Sequence, residues 1–313
     1  MRAWLLDEVG AQLRQDDVPA PTPGPGQVLV RVMASGLCHS DVAYLQGIFP
    51  FQIPFPVILG HEAAGIIEGI GEGVEGWDVG DRVAAVATAT DSPGITRDGA
   101  YAEYILLTAA ALVRVPESVE WAQAAAATDA GNTSYAGVVV MGEVKEGDRV
   151  GIVGLGGLGL TGAGIALAKG ASVVGVEPRE EVWESARAIG VTDLVHDVSE
   201  LEGRDLDVVV DFAGFSTTTA GALKAVRFRG RVVLVGLGKP ELELSAMDLI
   251  SRAVELRGAT PVGDPEHLAD VIHLIETGAL SIPAEHITFD DIPEGLNRLA
   301  RGEVSGRLVA VFD

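Results

Sequence analysis

Three residues that lie far apart in the sequence carry side chains that bind metals. Cys38, the only cysteine of the chain, is followed at a distance by His61 and much later by Asp129. A thiolate, an imidazole and a carboxylate are all ligands that Zn²⁺ accepts, and three protein ligands leave a fourth position open for chemistry. A closed structural site would use four protein ligands. The set therefore predicts one catalytic zinc per chain.

Each of these residues also has a plainer interpretation. A lone cysteine such as Cys38 often serves as a small buried hydrophobe. His61 can be a core histidine whose hydrogen bonds are satisfied, and Asp129 can do no more than cap a helix. The metal hypothesis therefore depends on the neighbours of these residues in the sequence.

A glycine-rich turn follows a predicted strand at residues 149–153. Its pattern, G-x-G-x-x-G, permits a tight turn and lets a pyrophosphate approach the N-terminus of the next helix, where N–H groups and the helix dipole favour anions. Glu177 ends the next predicted strand, where an acid would hold the adenosine ribose and repel a 2′-phosphate. NAD is therefore predicted rather than NADP, with Arg179 as the opposing signal. The predicted cofactor-binding residues here are Gly154, Gly156, Gly157, Gly159, Glu177 and Arg179.

Two patterns of secondary structure surround these residues. Up to about residue 130, short strands separated by glycine and proline turns predict a β-rich, barrel-like unit. From residue 147, apolar runs alternate with helical stretches, which predicts a doubly wound parallel sheet. The predicted strands are residues 27–34, 63–70, 81–87, 101–107, 149–153, 172–176, 193–196, 206–211, 231–236, 255–259 and 306–312. The predicted helices are residues 121–127, 180–189, 217–226, 266–277 and 292–300.

Composition argues against several functional classes. The net charge of −23 argues against nucleic acids and anionic membranes as partners. A single cysteine forbids an intramolecular disulfide and favours a reducing compartment, so we expect a cytoplasmic protein. One long uncharged run, residues 150–168, has the length of a membrane span. Its nucleotide-binding glycines instead favour a buried strand and the start of a helix.

In several motifs the chain resembles the zinc-containing medium-chain alcohol dehydrogenases. The resemblance covers essentially the whole chain and implies a GroES-like catalytic domain at residues 1–130 and 261–313. It implies a Rossmann NAD-binding domain at residues 131–260, and an enzyme that interconverts small-molecule alcohols with aldehydes or ketones. The motifs are Gly60-His61-Glu62-Ala63-Ala64-Gly65 with Gly71 and Val74, residues 36–41, Gly80-Asp81-Arg82-Val83, the glycine-rich turn and Gly306-Arg307-Leu308-Val309.

The resemblance implies roles for residues around the metal. Cys38, His61 and Asp129 match the ligands of the catalytic zinc, with aspartate where most relatives carry a second cysteine. Glu62 matches a glutamate that lies near the metal. Asp41 matches the carboxylate that orients the ligand histidine.

Roles for substrate and cofactor contacts are implied in the same way. Ser40 matches the hydroxyl that takes the proton of the substrate. His39 matches the residue that contacts the cofactor pyrophosphate. Thr133 and Leu158 match positions that hold the nicotinamide ring.

The chain also departs from the family. Ala43 stands where relatives often carry the last histidine of a proton relay. Residues 88–98 are too few for the lobe in which many relatives bind a structural zinc through four cysteines, so we expect that zinc to be absent. Ala87 is small where relatives are often bulky, which predicts a roomier substrate pocket unless Phe49, Phe51 or Trp77 fills it.

Two other functions are compatible with the fold. One is a zinc-free quinone or enoyl reductase, although such relatives generally lack the cysteine and the Gly-His-Glu motif. The other is a non-catalytic nucleotide-binding protein. Whichever of these functions the chain has, the predicted last strand of the parallel sheet, residues 255–259, leaves an open edge. The edge and the resemblance together predict a homodimer or homotetramer.

Overall fold

The computed structural model of the chain describes residues 1–49, 54–88 and 91–312, and it confirms the predicted α/β class. The strands within these residues are β1 (Arg2–Leu6), β2 (Arg14–Asp17), β3 (Gln27–Leu37), β4 (Val57–Ile58), β5 (Glu62–Ile70), β6 (Arg82–Ala85), β7 (Tyr104–Thr108), β8 (Leu112–Arg114), β9 (Arg149–Val153), β10 (Ser172–Val176), β11 (Asp193–Val195), β12 (Leu206–Asp211), β13 (Val226–Leu234), β14 (Glu255–Gly258), β15 (Ala284–Thr288) and β16 (Arg307–Val311).

The helices predicted at residues 217–226, 266–277 and 292–300 agree with the observed α-helices to within one residue. The α-helices at 121–127 and 180–189 are shorter than predicted, because a π-helical turn follows the first and a 3-10 turn precedes the second. Residues Ala127–Gly131 and Ala136–Met141 form π-helical turns. The α-helices are α1 (His39–Leu45), α2 (Trp121–Ala126), α3 (Asn132–Tyr135), α4 (Gly157–Ala168), α5 (Trp183–Ala188), α6 (Ser216–Ala225), α7 (Ala246–Ile250), α8 (Pro265–Glu276) and α9 (Ile292–Ala300).

The uncharged run at residues 150–168 divides into β9 and α4, as predicted. A glycine turn separates the two elements, and the facing residues of both are buried. In the described part of the chain, none of the helices is both long and apolar enough to cross a lipid bilayer.

The chain divides into two compact units. The predicted boundaries after residues 130 and 260 lie within one residue of two observed limits. Residues 277–283, which we expected in the first unit, belong to the second, where Leu280 and Ile282 are buried. The catalytic role predicted for the first domain and the NAD-binding role predicted for the second stay predictions. The first unit comprises Met1–Asp129, Val262–Glu276 and Ala284–Asp313, and the second comprises Ala130–Pro261 and Thr277–Pro283.

The second unit is built on a six-stranded parallel sheet. Its strand order is β11-β10-β9-β12-β13-β14, which is the doubly wound order of dinucleotide-binding folds. The central strands β9, β10 and β12 are mostly buried apolar runs, because a parallel sheet is covered on both faces there. The order reverses between β9 and β12, so the glycine turn after β9 lies at the position where such folds bind ligands.

The first unit contains a seven-stranded sheet and a three-stranded sheet. The larger sheet has the order β15-β16-β3-β5-β6-β8, with β7 also paired to β3, and the smaller has the order β2-β1-β4. Side chains from both sheets and from α9 share one apolar core. β3 shifts its register against β5 twice, and such irregularities bend a strand and help a sheet to curl.

The short segment at residues 88–98 is anchored by charge and hydrogen bonds. Arg97 Nε donates to Asp91 Oδ1 at 2.5 Å, and Thr108 donates to the other carboxylate oxygen of Asp91. Asp98 accepts a hydrogen bond from the backbone N–H of Ile58 at 3.0 Å. Side-chain contacts therefore hold the described part of this segment, residues 91–98, in place.

Candidate functional site

Three neighbouring strands bring the predicted site residues of the first unit together. β3 lies between β16 and β5, and the antiparallel register pairs Gly36 with Glu62 and Leu37 with Leu308. Cys38 follows the end of β3, and His61 precedes the start of β5. Cys38 and His61 are therefore close together, because the end of β3 lies beside the start of β5.

The metal-binding atoms of four residues cluster closely. One ligand atom from each of Cys38, His61, Glu62 and Asp129 lies within 4.8 Å of every other. Cys38 Sγ is 3.4 Å from Asp129 Oδ2, and His61 Nε2 is 3.9 Å from the same oxygen. Among the residues that the structure describes, this is the group suited to hold a metal ion.

Asp129 reaches the cluster from a π-helical turn, Ala127–Gly131, that follows α2. α2 packs against β3, β5 and β16. Such turns insert an extra residue into a helix and are frequent at functional sites. The turn was not predicted from the sequence, where residues 121–127 indicated an ordinary helix.

Asp41 links two of the candidate ligands. Its Oδ1 lies 3.1 Å from His61 Nδ1, and its Oδ2 accepts a hydrogen bond from the backbone N–H of Cys38 at 3.0 Å. The Nε2 atom of His61 is therefore the one directed to the cluster. Tyr101 donates its hydroxyl proton to the same Oδ2 at 2.9 Å.

Arg307 places a cation inside the cluster. Its guanidinium contacts the carboxylate of Glu62, and its Nη2 lies 3.3 Å from Asp129 Oδ2. Nη1 lies 4.0 Å from Cys38 Sγ. Both Glu62 and Arg307 are buried. Neither Glu62 oxygen has a hydrogen bond among the described residues, so the ion pair with Arg307 is its compensation.

The electrostatics of the cluster favour a charged imidazole in the metal-free chain. Burial by itself would lower the pKa of His61, but the carboxylates of Asp41 and Asp129 raise it well above its ordinary value. A metal that binds at Nε2 must therefore displace a proton.

Ser40 and His39 lie at the start of α1, directly after Cys38. Ser40 Oγ is 3.6 Å from Cys38 Sγ, so its hydroxyl borders the candidate ligand set. His39 is exposed, as a residue that contacts a soluble cofactor would be. Ala43 lies in the same short helix.

The glycine-rich turn of the second unit has the geometry that its pattern predicts. Gly156 caps α4, and a Cβ on Gly159 would lie 1.8 Å from the carbonyl oxygen of Gly154, so only glycine fits there. Leu158 is half-buried in the first turn of α4. Its carbonyl oxygen accepts a hydrogen bond from Ser134 at 2.8 Å, which joins α4 to the helix that carries the half-buried Thr133.

Glu177 directly follows β10, beside this turn. Its Oε2 accepts a hydrogen bond from the N–H of Leu155 at 3.1 Å, and Arg179 Nε donates to its Oε1 at 2.9 Å. Glu177 is buried, while Arg179 remains partly exposed. The acid is therefore fixed at the end of the strand, and the arginine expected to oppose it is its ion-pair partner.

Sequence analysis did not assign a role to Tyr101 or to the side chain of Arg307. An arginine in the apolar stretch Arg307–Val311 was a usable signal, because a buried charge requires a partner. Tyr101 gave no such signal among the small residues around it.

Comparisons with known proteins agree with this architecture. The family model of the alcohol dehydrogenase GroES-like domain matches residues 24–117, and that of the zinc-binding dehydrogenases matches residues 157–277. An alcohol dehydrogenase of Geobacillus stearothermophilus is 30% identical and is covered, like this chain, over 100% of its length. An NAD-dependent alcohol dehydrogenase of Sulfurisphaera tokodaii is 31% identical, with 99% of this chain and 100% of the relative covered.

A solved structure of acetophenone reductase from Geotrichum candidum in complex with NAD is also similar. It is 31% identical and superimposes with a TM-score of 0.89 over 99% of this chain and 96% of the other. The chain belongs to the medium-chain dehydrogenase/reductase family, among its alcohol dehydrogenases.

Proposed function

We propose that the chain is an NAD-dependent alcohol dehydrogenase that uses one zinc ion, held by Cys38, His61 and Asp129. The observation that carries the proposal is the convergence of a thiol, an imidazole and two carboxylates within 4.8 Å. The names of the NAD-dependent relatives support the cofactor and the reaction class. Zinc is the metal for which a sulfur, nitrogen and oxygen ligand set is most suitable.

The distances in the cluster are suited to zinc. Bonds of about 2.0–2.3 Å to tetrahedral Zn²⁺ separate neighbouring ligand atoms by about 3.3–3.8 Å. The observed separations of 3.4 Å and 3.9 Å between Asp129 Oδ2 and its two partners are close to these values. Glu62 supplies a further buried carboxylate, which Arg307 engages. With three protein ligands, a fourth position stays open to substrate.

The residues of the chain would divide the work between position and proton transfer. A bound zinc would supply Lewis acidity toward the substrate oxygen, and a bound NAD would supply the hydride acceptor. Asp41 fixes the tautomer and the orientation of His61. Ser40, whose hydroxyl borders the ligand set, is the residue that we propose takes the proton of the substrate alcohol. His39, Thr133, Leu158 and the glycine turn would bind NAD.

Metal analysis and turnover test this proposal together. Purified protein should contain about one zinc per chain, and a chelator should abolish NAD-linked alcohol oxidation until zinc is restored. Two zinc ions per chain would contradict the expected absence of a structural site. Full turnover of a quinone or enoyl substrate by zinc-free protein would favour the reductase alternative, and nucleotide binding without any turnover would favour a non-catalytic role.

Cofactor choice should depend on Glu177. We expect wild type to prefer NAD by kcat/KM, and Glu177→Ala to shift the NAD/NADP ratio toward NADP by about 10–100-fold, since a change of about 1.4–2.8 kcal/mol corresponds to that range. Loss of the carboxylate removes repulsion of a 2′-phosphate and frees Arg179. Glu184→Ala, which removes an exposed acid of α5, is the matched control. A wild type that prefers NADP would contradict the role of Glu177.

Substrate size should depend on Ala87. We expect larger secondary or benzylic alcohols to have a higher kcat/KM than ethanol, and Ala87→Trp to favour small substrates, because an indole buries apolar area worth ~25 cal/mol per Å². The relative named for acetophenone, a benzylic ketone, supports this preference. Ala110→Trp, at an exposed alanine, is the control. A wild type that prefers ethanol would contradict the open pocket.

Three aromatic residues could have filled that pocket. Trp77 packs under the guanidinium of Arg114, 4.5 Å from its ring centre, and Phe49 packs edge-on against Tyr44. Phe51 lies outside the described residues. The contacts of the first two support an open pocket.

We further propose a homodimer or homotetramer joined through β14. This strand is the edge of the parallel sheet, and large apolar side chains of α7, Met247 and Ile250, are exposed just before it in the sequence. An unpaired edge of this kind favours a symmetric partner. Light scattering at micromolar concentration should give a mass of at least two chains, and a monomer would contradict the proposal.

The site itself suggests a reducing environment. Cys38 is free, and a metal ligand must be available as a thiolate rather than an oxidised sulfur. We therefore propose that the chain works in the cytoplasm.

A further inference from the structure

Tyr101 is connected to two of the three candidate ligands, Cys38 and His61, through one carboxylate. Its hydroxyl donates to Asp41 Oδ2 at 2.9 Å, and the same oxygen accepts the N–H of Cys38 at 3.0 Å. The other oxygen of Asp41 engages His61 Nδ1 at 3.1 Å. One tyrosine hydroxyl therefore restrains the carboxylate on which the positions of Cys38 and His61 depend.

The surroundings of Tyr101 leave it little freedom. Tyr101 is 0% exposed and Asp41 1%. The backbone of Tyr101 donates to the carbonyl oxygen of Leu59, two residues before His61. Its ring covers Gly60, where a Cβ would lie 2.6 Å from Cδ1 of the ring. Since Gly60 also has a φ of +93°, both the backbone and the tyrosine ring require glycine directly before His61.

The hydroxyl is a dependable donor. Burial, and then the charge of Asp41, raise the pKa of Tyr101 well above its ordinary value. The Asp41 carboxylate contacts three groups: the hydroxyl of Tyr101, the N–H of Cys38 and Nδ1 of His61. It cannot rotate without losing at least one of these contacts. Without the hydroxyl, the N–H of Cys38 would be the only hydrogen-bond donor left to Oδ2 within the described residues.

We propose that Tyr101 is a positioning residue for the metal: it holds Asp41, and Asp41 in turn orients His61 and the backbone of Cys38. The proposal rests on the zinc site proposed above. It predicts that the hydroxyl acts on metal affinity rather than on the stability of the fold, because the ring alone provides the packing against Gly60.

The experiment compares zinc binding in wild type, Tyr101→Phe, Asp41→Asn and the double variant. A chromogenic chelator in competition gives the dissociation constant for zinc, and Co²⁺-substituted protein gives an absorption spectrum that reports ligand geometry. We expect Tyr101→Phe to weaken zinc binding by about 10–100-fold, the range found when outer partners of ligands are lost, and to alter the Co²⁺ spectrum. In the Asp41→Asn background the same change should have less than a two-fold effect.

Tyr135→Phe is the matched control, because it removes a hydroxyl from another buried tyrosine in the second unit. It should leave zinc affinity and the Co²⁺ spectrum unchanged. A wild type that binds no zinc would defeat the proposed function itself. A wild type that binds zinc, with Tyr101→Phe equal to it, would defeat only the role of Tyr101. An equal loss with and without the Asp41 carboxylate, or a Tyr101→Phe chain that does not fold, would also overturn that role.

Discussion

Cys38→Ser should reduce bound zinc from about one ion per chain to less than about 0.1, and kcat for alcohol oxidation by at least about 10³-fold. Such a fall corresponds to about 4 kcal/mol of activation free energy, within what metal-ion catalysis provides. A serine hydroxyl is a poor ligand at neutral pH, and it would leave a neutral group where the site needs an anion. Elemental analysis and NADH formation measure the two effects.

The fold should survive this change. The seven-stranded sheet and its core depend on apolar packing that does not include the metal, so the melting temperature of the metal-free variant should lie within a few degrees of metal-free wild type. Asp129→Cys is the matched control, because it exchanges one anionic zinc ligand for another and should retain zinc. Zinc retained at one ion per chain in Cys38→Ser would contradict the ligand assignment.

Arg307→Met should cost about 3–5 kcal/mol of unfolding free energy in metal-free protein, the cost of removing one partner from a buried ion pair. Glu62 is 0% exposed and Arg307 5%. Without the guanidinium, the buried Glu62 carboxylate would lose its ion-pair partner, and Asp129 would lose a contact at 3.3 Å. Urea unfolding after treatment with a chelator measures the loss as a shift of the midpoint.

A second substitution separates charge from packing. The double variant with Arg307→Met and Glu62→Gln should recover at least about half of the loss. The glutamine amide is neutral, so no unpaired charge remains buried. Arg301→Met removes an exposed ion pair of the same unit and should shift the urea midpoint much less than Arg307→Met does. Equal losses in the two arginine variants would show that burial of the pair contributes nothing.

The second unit was largely predictable, since each buried parallel strand is a continuous apolar run. β9, β10 and β12 have the predicted bounds. β13 begins at Val226, five residues earlier than predicted. Two arginines interrupt the apolar pattern at the start of this strand, and one of them, Arg229, has a φ of +59°. Local apolar periodicity does not report such a strand.

The candidate ligands were predictable, but the residues that hold them were not. Cys38 and His61 lie in local motifs, whereas Tyr101 reaches Asp41 across 60 positions and Arg307 reaches Asp129 across 178. Contacts of that span follow from strand register and packing, which periodicity and motifs do not encode. The predicted strand at 101–107 begins instead at Tyr104, because the backbone of Tyr101 pairs with Leu59 and Trp4.

The contacts that anchor the segment at residues 88–98 bear on how sensitive the protein is to oxidation. Burial would raise the pKa of Asp91, but Arg97 and Thr108 lower it, so the carboxylate holds its charge and its contacts over the ordinary physiological range. Peroxide attacks sulfur, and it finds neither a thiolate nor a thiolate-bound metal in this segment. Cys38 is the only cysteine of the chain, so thiol oxidation would act on the proposed zinc ligand and not on the contacts of Asp91, which contain no sulfur.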